Sequence, residues 1–242
     1  MTSTQRWQSS ARWTLVAVVG VVVLGGLGFY WFFLRGDPPK RASLPDRSTV
    51  TTVAPGTPVG SPDGAWRLSP GDGIFVGYRM QEQFAGDTIE KTAVGRTIGV
   101  TGTMTIAGGQ VTAATVEADL TRLRSDQFRR DDYLRLSGLE TDTYGTATFT
   151  LTEPIALAAD LPAGQPFPVT AVGDLTLHGV TRPVEIPLQA QWDGTVIDIA
   201  GGVTVTLADY GIEPPSNSIT SVAGAGEIEL QVSFTRTARP AT

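Results

Sequence analysis

The chain has no cysteine in its 242 residues. That excludes disulfides, thiolate nucleophiles, zinc–thiolate sites and iron–sulfur clusters. It leaves the redox compartment open, because a chain without thiols suits either side of a membrane. Histidine is nearly absent too: His178 is the one imidazole. A histidine-based transition-metal site needs more than one, and a Ser–His–Asp triad would have to be built on His178. Positive charge is also short, with 18 Lys and Arg against 24 Asp and Glu. That balance argues against nucleic acid, whose affinity rests on cations that neutralise phosphates. No serine sits in a G-x-S-x-G elbow, no G-x-x-x-x-G-K loop cradles a phosphate, and no calcium loop of spaced Asp and Gly occurs.

What the chain does have is unevenly distributed. Trp13 to Leu34 reads WTLVAVVGVVVLGGLGFYWFFL, without a charge. A helix of that length spans roughly 33 Å, enough for a bilayer core. Aromatics stand at both ends, Trp13 at one and Phe29 to Phe33 at the other, as membrane interfaces favour. A cleaved signal peptide would end in small residues; this run ends in aromatics, so it is read as an uncleaved anchor. Residues 1–12 form a short tail before it. Arg6 and Arg12 precede the span and Arg35, Lys40, Arg41 and Arg47 follow it. That count alone would place the C-terminal side in the cytoplasm.

Residues 35–64 are dense in Pro, Ser, Thr and Gly and poor in large apolar residues. Such a segment cannot bury enough surface to offset its ordering entropy, and it is expected to be a flexible linker. Residues 65–238 follow as one domain. There the hydrophobic period becomes two. Ile74, Val76, Tyr78, Met80 and Phe84 share one face. Val184, Ile186, Leu188, Ala190 and Trp192 alternate with polar residues, as do Ile228, Leu230, Val232 and Phe234. Eight or nine half-buried antiparallel strands are expected, with hairpin turns at Gly108-Gly109 and Asp193-Gly194. A single open sheet of that size would leave its apolar face bare, so the strands should form a sandwich or a closed barrel. Ser125 to Glu140 breaks the alternation. Phe128, Leu134, Leu136 and Leu139 stand there at roughly helical spacing, which predicts a short helix or structured loop packed on one end.

Few residues could do chemistry. Asp131 and Asp132 could supply a carboxylate pair, but Arg129, Arg130 and Arg135 beside them suggest ion-paired neighbours in a solvated cap. His178 stands in L-H-G-V-T between two strands. It reads as a turn residue whose ring bonds nearby backbone. The inward set is almost wholly uncharged, and it fits a dry packed core as well as a lumen that accepts an apolar molecule.

The stretch Gly173 to Val184, GDLTLHGVTRPV, resembles the signature of the YceI-like family of polyisoprenoid-binding, lipocalin-like barrels. Tyr78 to Glu82, Val94 to Thr97, the R-D-x-x-L pattern at Arg130, Asp131 and Leu134, and Ala208 to Pro214 resemble further segments in order. Tyr133 and Gly145 stand where the family often has His and Pro. The likeness covers about Trp66 to Arg236 and omits the anchor and linker. It implies an all-β fold, an eight-stranded antiparallel barrel with a short helix or loop, here preceded by one transmembrane helix. It also implies an isoprenoid or quinone-like lipid inside, no other cofactor, no catalysis and an extracytoplasmic domain. Lumen-lining residues, taken from the inward positions, would be Val76, Tyr78, Met80, Phe84, Val100, Met104, Phe149, Leu151, Leu175, Leu177, Ile186, Leu188, Trp192, Leu230 and Val232. His178, Arg130 and Tyr133 are candidate polar contacts at one barrel end. The expected partners are an apolar lipid and, through the N-terminal helix, a membrane. The alternatives are an envelope interaction module with a filled core, or an enzyme built on His178 or a carboxylate pair.

Overall fold

A computed structural model describes residues 38–45, 60–84, 89–161, 164–215 and 220–237, apart from the side chains of Phe84, Ile89 and Thr220. The run 13–34 lies outside these residues, and so does the side chain of Phe84. Among the described residues no helix is long and apolar enough to cross a membrane.

The strands follow the alternation. In chain order they are β1 (Gly64–Leu68), β2 (Phe75–Phe84), β3 (Ile89–Thr97), β4 (Val100–Ala107), β5 (Gln110–Asp119) and β6 (Arg124–Ser125). After helix α1 (Phe128–Tyr133) come β7 (Thr146–Leu151), β8 (Ile155–Ala156), β9 (Pro166–Leu177), β10 (Val180–Trp192), β11 (Val196–Thr206), β12 (Thr220–Val222) and β13 (Ala225–Arg236). Every pairing is antiparallel. β1 and β2 succeed each other along β13, with Leu68 opposite Phe234 and Val76 opposite Leu230. β3 and β4 likewise succeed each other along β2 and β1, and β7 and β8 along β5. With those segments merged, the order closes on itself as an eight-stranded antiparallel barrel. Closure removes the open edges that a sheet of this size would expose.

The turns explain the register. Gly108 and Gly109 both have positive φ, 59° and 72°, the arrangement whose twist matches a two-residue hairpin. The β9–β10 hairpin repeats it with His178 at 51° and Gly179 at 72°. The runs near Val169 to Leu177 and Val196 to Leu207, whose alternation is less regular, fall in β9 and β11; Gly173 and Gly201 interrupt their apolar faces.

Helix α1 and the turns around it cap one end of the barrel. The helix is short, and a wider turn at Leu134–Gly138 follows it, closed by the Leu139 amide on the Leu134 carbonyl at 2.9 Å. The wide turn changes the facing expected from a regular helical period. Leu134 and Leu139 turn inward, whereas Phe128 and Leu136 stay exposed, at 64% and 61%. The segment packs on one barrel end, and of the four residues at helical spacing Leu134 and Leu139 make that contact.

Part of the expected linker is docked. The Arg79 guanidinium donates to the Pro39 carbonyl at 3.0 Å, and the Ala42 and Ser43 amides donate to Glu229 and Gln231 at 3.1 Å each. Arg236 holds the carbonyls of Asp63 and Ser61 at 3.0 and 2.9 Å. Backbone groups that find side-chain partners on a folded wall overcome the ordering cost that composition alone predicts to prevail.

Candidate functional site

The barrel interior is built from alternate residues of each strand, and these are nearly all apolar. Two cavities lie within it, of about 140 Å³ and about 130 Å³. Val76, Ala147 and Ile228 line both, so the two are successive sections of one lumen.

The first cavity lies away from the cap. Met104, Phe149, Leu151, Leu175, Ile186, Leu188, Trp192, Leu230 and Val232 line it together with Val76. Gly173 makes room here: a Cβ in its place would stand 2.6 Å from the Phe149 ring. Leu157 and Leu161, in the loop after β8, close this section. That loop has no period, so no sequence signal marked them. The indole Nε1 of Trp192 is buried without a hydrogen-bond partner.

The second cavity lies beneath the cap. Tyr78, Met80, Leu177, Arg130 and Tyr133 line it, with Leu120, Leu123, Leu139 and Ile212. Of the other expected lining residues, Val100 is buried in the packed core beside Met104 and faces neither cavity. His178 also lines neither.

The cap-end cavity carries the lumen's charge. Glu82 has the same parity on β2 as Met80 and therefore points inward, a position the apolar pattern passes over. It is 8% exposed. Arg130 of α1 meets it with two parallel bonds, Nε to Oε1 and Nη2 to Oε2, each 2.8 Å. The same guanidinium reaches Asp126 Oδ1 at 2.5 Å. Burial works to raise the Asp126 carboxyl, but the hydrogen bonds from Arg130 and Lys91 prevail and hold it below the usual range. Asp131 accepts from the Ser125 amide at 2.9 Å and hydroxyl at 2.7 Å, and Asp132 lies 3.7 Å from Arg135. The two adjacent aspartates thus serve the cap, in separate contacts.

Tyr78 lies against the bare backbone of Gly95, its cross-strand partner, where a Cβ would stand 2.4 Å from the ring. Its hydroxyl is buried with no partner. Burial raises its ionisation well above the ordinary 10.0, against the opposing pull of Arg130. A neutral buried phenol with an unused O–H is a donor waiting for an acceptor. Tyr133 is better satisfied, donating to the Glu213 carbonyl at 3.4 Å.

His178 is a turn residue. Its Nδ1 lies 3.0 Å from the Tyr210 carbonyl. A carbonyl only accepts, so Nδ1 carries the proton. The Tyr144 ring meets it edge-on at 4.5 Å, and Nε2 is 3.9 Å from Glu140. The contact ties the β9–β10 hairpin to the Leu207–Tyr210 turn after β11.

The comparisons with known proteins agree with this architecture. The YceI-like domain model matches residues 73–235. A UPF0312 protein of Vibrio cholerae is 34% identical over 105 residues, 40% of this chain and 52% of that protein. One from Vibrio vulnificus is 33% identical over 104 residues, 40% of this chain and 51% of its own. The chain spans about half the length of the curated relatives it matches. Among solved structures, a polyisoprenoid binding domain from Saccharophagus degradans implicated in plant cell wall breakdown is similar in fold. Its TM-score is 0.55 at 20% identity, over 71% of this chain and 98% of that domain.

Proposed function

We propose, from the premise that this chain belongs to the YceI-like family, that its barrel holds an apolar chain lipid, a polyisoprenoid or an isoprenoid quinone, along the lumen. The observation that carries this reading is the two-section apolar cavity, joined at Val76, Ala147 and Ile228 and polar only at its cap end. The similarity in fold to a domain described as polyisoprenoid binding supports it. Affinity comes from taking the chain out of water, about 0.8 kcal/mol per CH₂. The Tyr78 hydroxyl donates to an acceptor on the head. Arg130 is already held by two carboxylates, Glu82 and Asp126, so this end favours a neutral head over a phosphate.

The protein acts by binding rather than catalysis. His178 is committed to a turn and faces no cavity. The apolar run 13–34 anchors the chain in a membrane, and the barrel works on the extracytoplasmic side, beside the bilayer that stores such lipids. The tether raises the local concentration of the barrel where the lipid is.

The test is native mass spectrometry of the full chain purified from a bacterial host, followed by solvent extraction. An added mass that leaves with the solvent and matches an isoprenoid or quinone supports the reading. A bare mass that persists after incubation with long-chain isoprenoids sinks it and favours a filled core. Leu188→Asp and Met80→Asp, one in each section, should each abolish retention.

A further inference from the structure

Residues 39–43 run along the outside of the barrel and take no part in the lumen. Arg79 and Arg96, on the outer face of β2 and β3, donate to the carbonyls of Pro39 and Lys40. Arg41, Ala42 and Ser43 then meet Glu227, Glu229 and Gln231, alternate residues of β13. Glu229 is only 1% exposed although it faces outward. Arg96 holds it at 2.7 Å and Arg79 at 3.4 Å. A buried carboxylate with guanidinium partners and an amide donor makes this strap a specific attachment, because removing a partner leaves a buried charge uncompensated.

The strap has a direction. Arg41 stands at Glu227, near the start of β13 at the cap end, and Ser43 stands further along, at Gln231. Arg79, which anchors Pro39, sits between Tyr78 and Met80, both of which line the cap-end cavity. The chain therefore joins the barrel wall at the cap end. Five residue steps separate Leu34 from Pro39, a reach of roughly 17 Å. Without the strap the leash would run to Ser61, where Arg236 next holds the chain, roughly 90 Å, and the barrel would have no preferred facing.

Two of the three large hydrophobic side chains exposed among the described residues, Phe128 and Leu136, stand on the cap. The third, Ile98, follows Thr97, the partner of Val76 at mid-lumen. They project singly rather than walling a groove. Arg130 and Arg135 of the cap are matched by carboxylates, and Arg129 lies 6.0 Å from the Phe128 ring centroid. Both features suit an uncharged lipid surface better than a folded partner or a strongly anionic one.

We propose that the docked strap holds the cap end against the bilayer, with Phe128 and Leu136 in the interface and the cap-end cavity directly above the lipid it draws from. This rests on the reading of residues 13–34 as an anchor and of the lumen as a lipid site. The absence of cysteine makes the test clean. Leu136→Cys and, at the opposite end, Gln110→Cys are each labelled with a polarity-sensitive fluorophore. The full chain is then placed in phosphatidylcholine vesicles carrying a lipid-borne quencher. Emission at position 136 should shift to the blue and be quenched several-fold more than at 110. Adding Ala42→Pro and Ser43→Pro, which remove the strap amides that bond Glu229 and Gln231 and leave the arginine pair on Glu229 in place, should bring the two positions towards equality while the strand signal and bound lipid are retained. Equal quenching at 136 and 110 in a chain that floats with the vesicles and keeps its lipid overturns the orientation alone. A chain that neither floats nor retains lipid overturns the underlying reading, and the orientation with it.

Discussion

Arg130 of the cap helix grips Glu82 of the barrel wall through two bonds of 2.8 Å. It links cap and barrel beside a second pair, Lys91 of β3 with Asp126 at 3.1 Å, and the Arg130 and Glu82 side chains are both largely out of water. Removing one partner strands the other charge. Arg130→Met should therefore destabilise the fold by about 3 kcal/mol. Adding Glu82→Leu should restore most of that loss, because two apolar side chains of similar size make no demand for a partner. Denaturant titrations of the two single variants and the double variant form the cycle that checks it. A double variant no more stable than Arg130→Met would show that the pair does not fasten the cap.

The buried Tyr78 phenol makes a signature at high pH. Burial raises its ionisation above the ordinary 10.0, so the folded chain keeps it neutral where the unfolded chain ionises. Its contribution is intact below about pH 10 and is lost as the pH climbs towards the folded value. The loss is at most about 1.4 kcal/mol per pH unit for one proton. Tyr78→Phe should flatten that fall. Tyr133 and Tyr210, raised by burial as well, leave a residual slope. Urea midpoints between about pH 8 and 11 measure it; parallel curves for the two proteins would place the Tyr78 hydroxyl in water.

Alternation made most of the barrel legible. Val184 to Trp192 and Ile228 to Phe234 need one face each, and a period of two can satisfy that only as strands. The same reasoning reached Met104, Phe149, Leu175 and Leu188 in the lumen. It stopped where the cue was something other than apolar character. Glu82 has inward parity, but its charge hid it, because its partner Arg130 comes from an element of a different period. Leu136 fits a helical stripe and faces out because a wide turn follows α1. The docking of residues 39–43 was invisible for another reason: the strap is held by its carbonyls and amides, and composition carries no record of which backbone groups find partners.

His178 should matter to stability and leave binding alone. His178→Asn tolerates the left-handed backbone and loses the Nδ1–H bond to the Tyr210 carbonyl, costing about 1 kcal/mol. His178→Ala loses the same bond and adds the strain of positive φ on a residue with a Cβ, about 1 kcal/mol more. Melting curves should rank wild type above Asn above Ala, with lipid retention unchanged in both variants. Loss of retention in a folded His178→Asn protein would bring the imidazole back as a ligand contact.

The junction between the two cavities decides what length of chain the barrel can hold. Ala147 of β7 borders both sections, with the smallest side chain of the three residues at the passage between them. In Ala147→Phe the ring would occupy that passage at an overpacking cost of about 1–3 kcal/mol, which a closed barrel of this size can absorb. Each section remains able to take a short chain, so a fifteen-carbon isoprenoid alcohol should bind nearly as before. A forty-carbon isoprenoid needs both sections and should lose most of its affinity. Val76→Phe, at the same junction from β2, repeats the test should the first variant fold poorly. Equal losses for short and long chains would mean that the ring disrupts the whole site. No loss for the long chain would mean that the ligand occupies one section only, and the lumen would then have to be read as two separate pockets that share a wall.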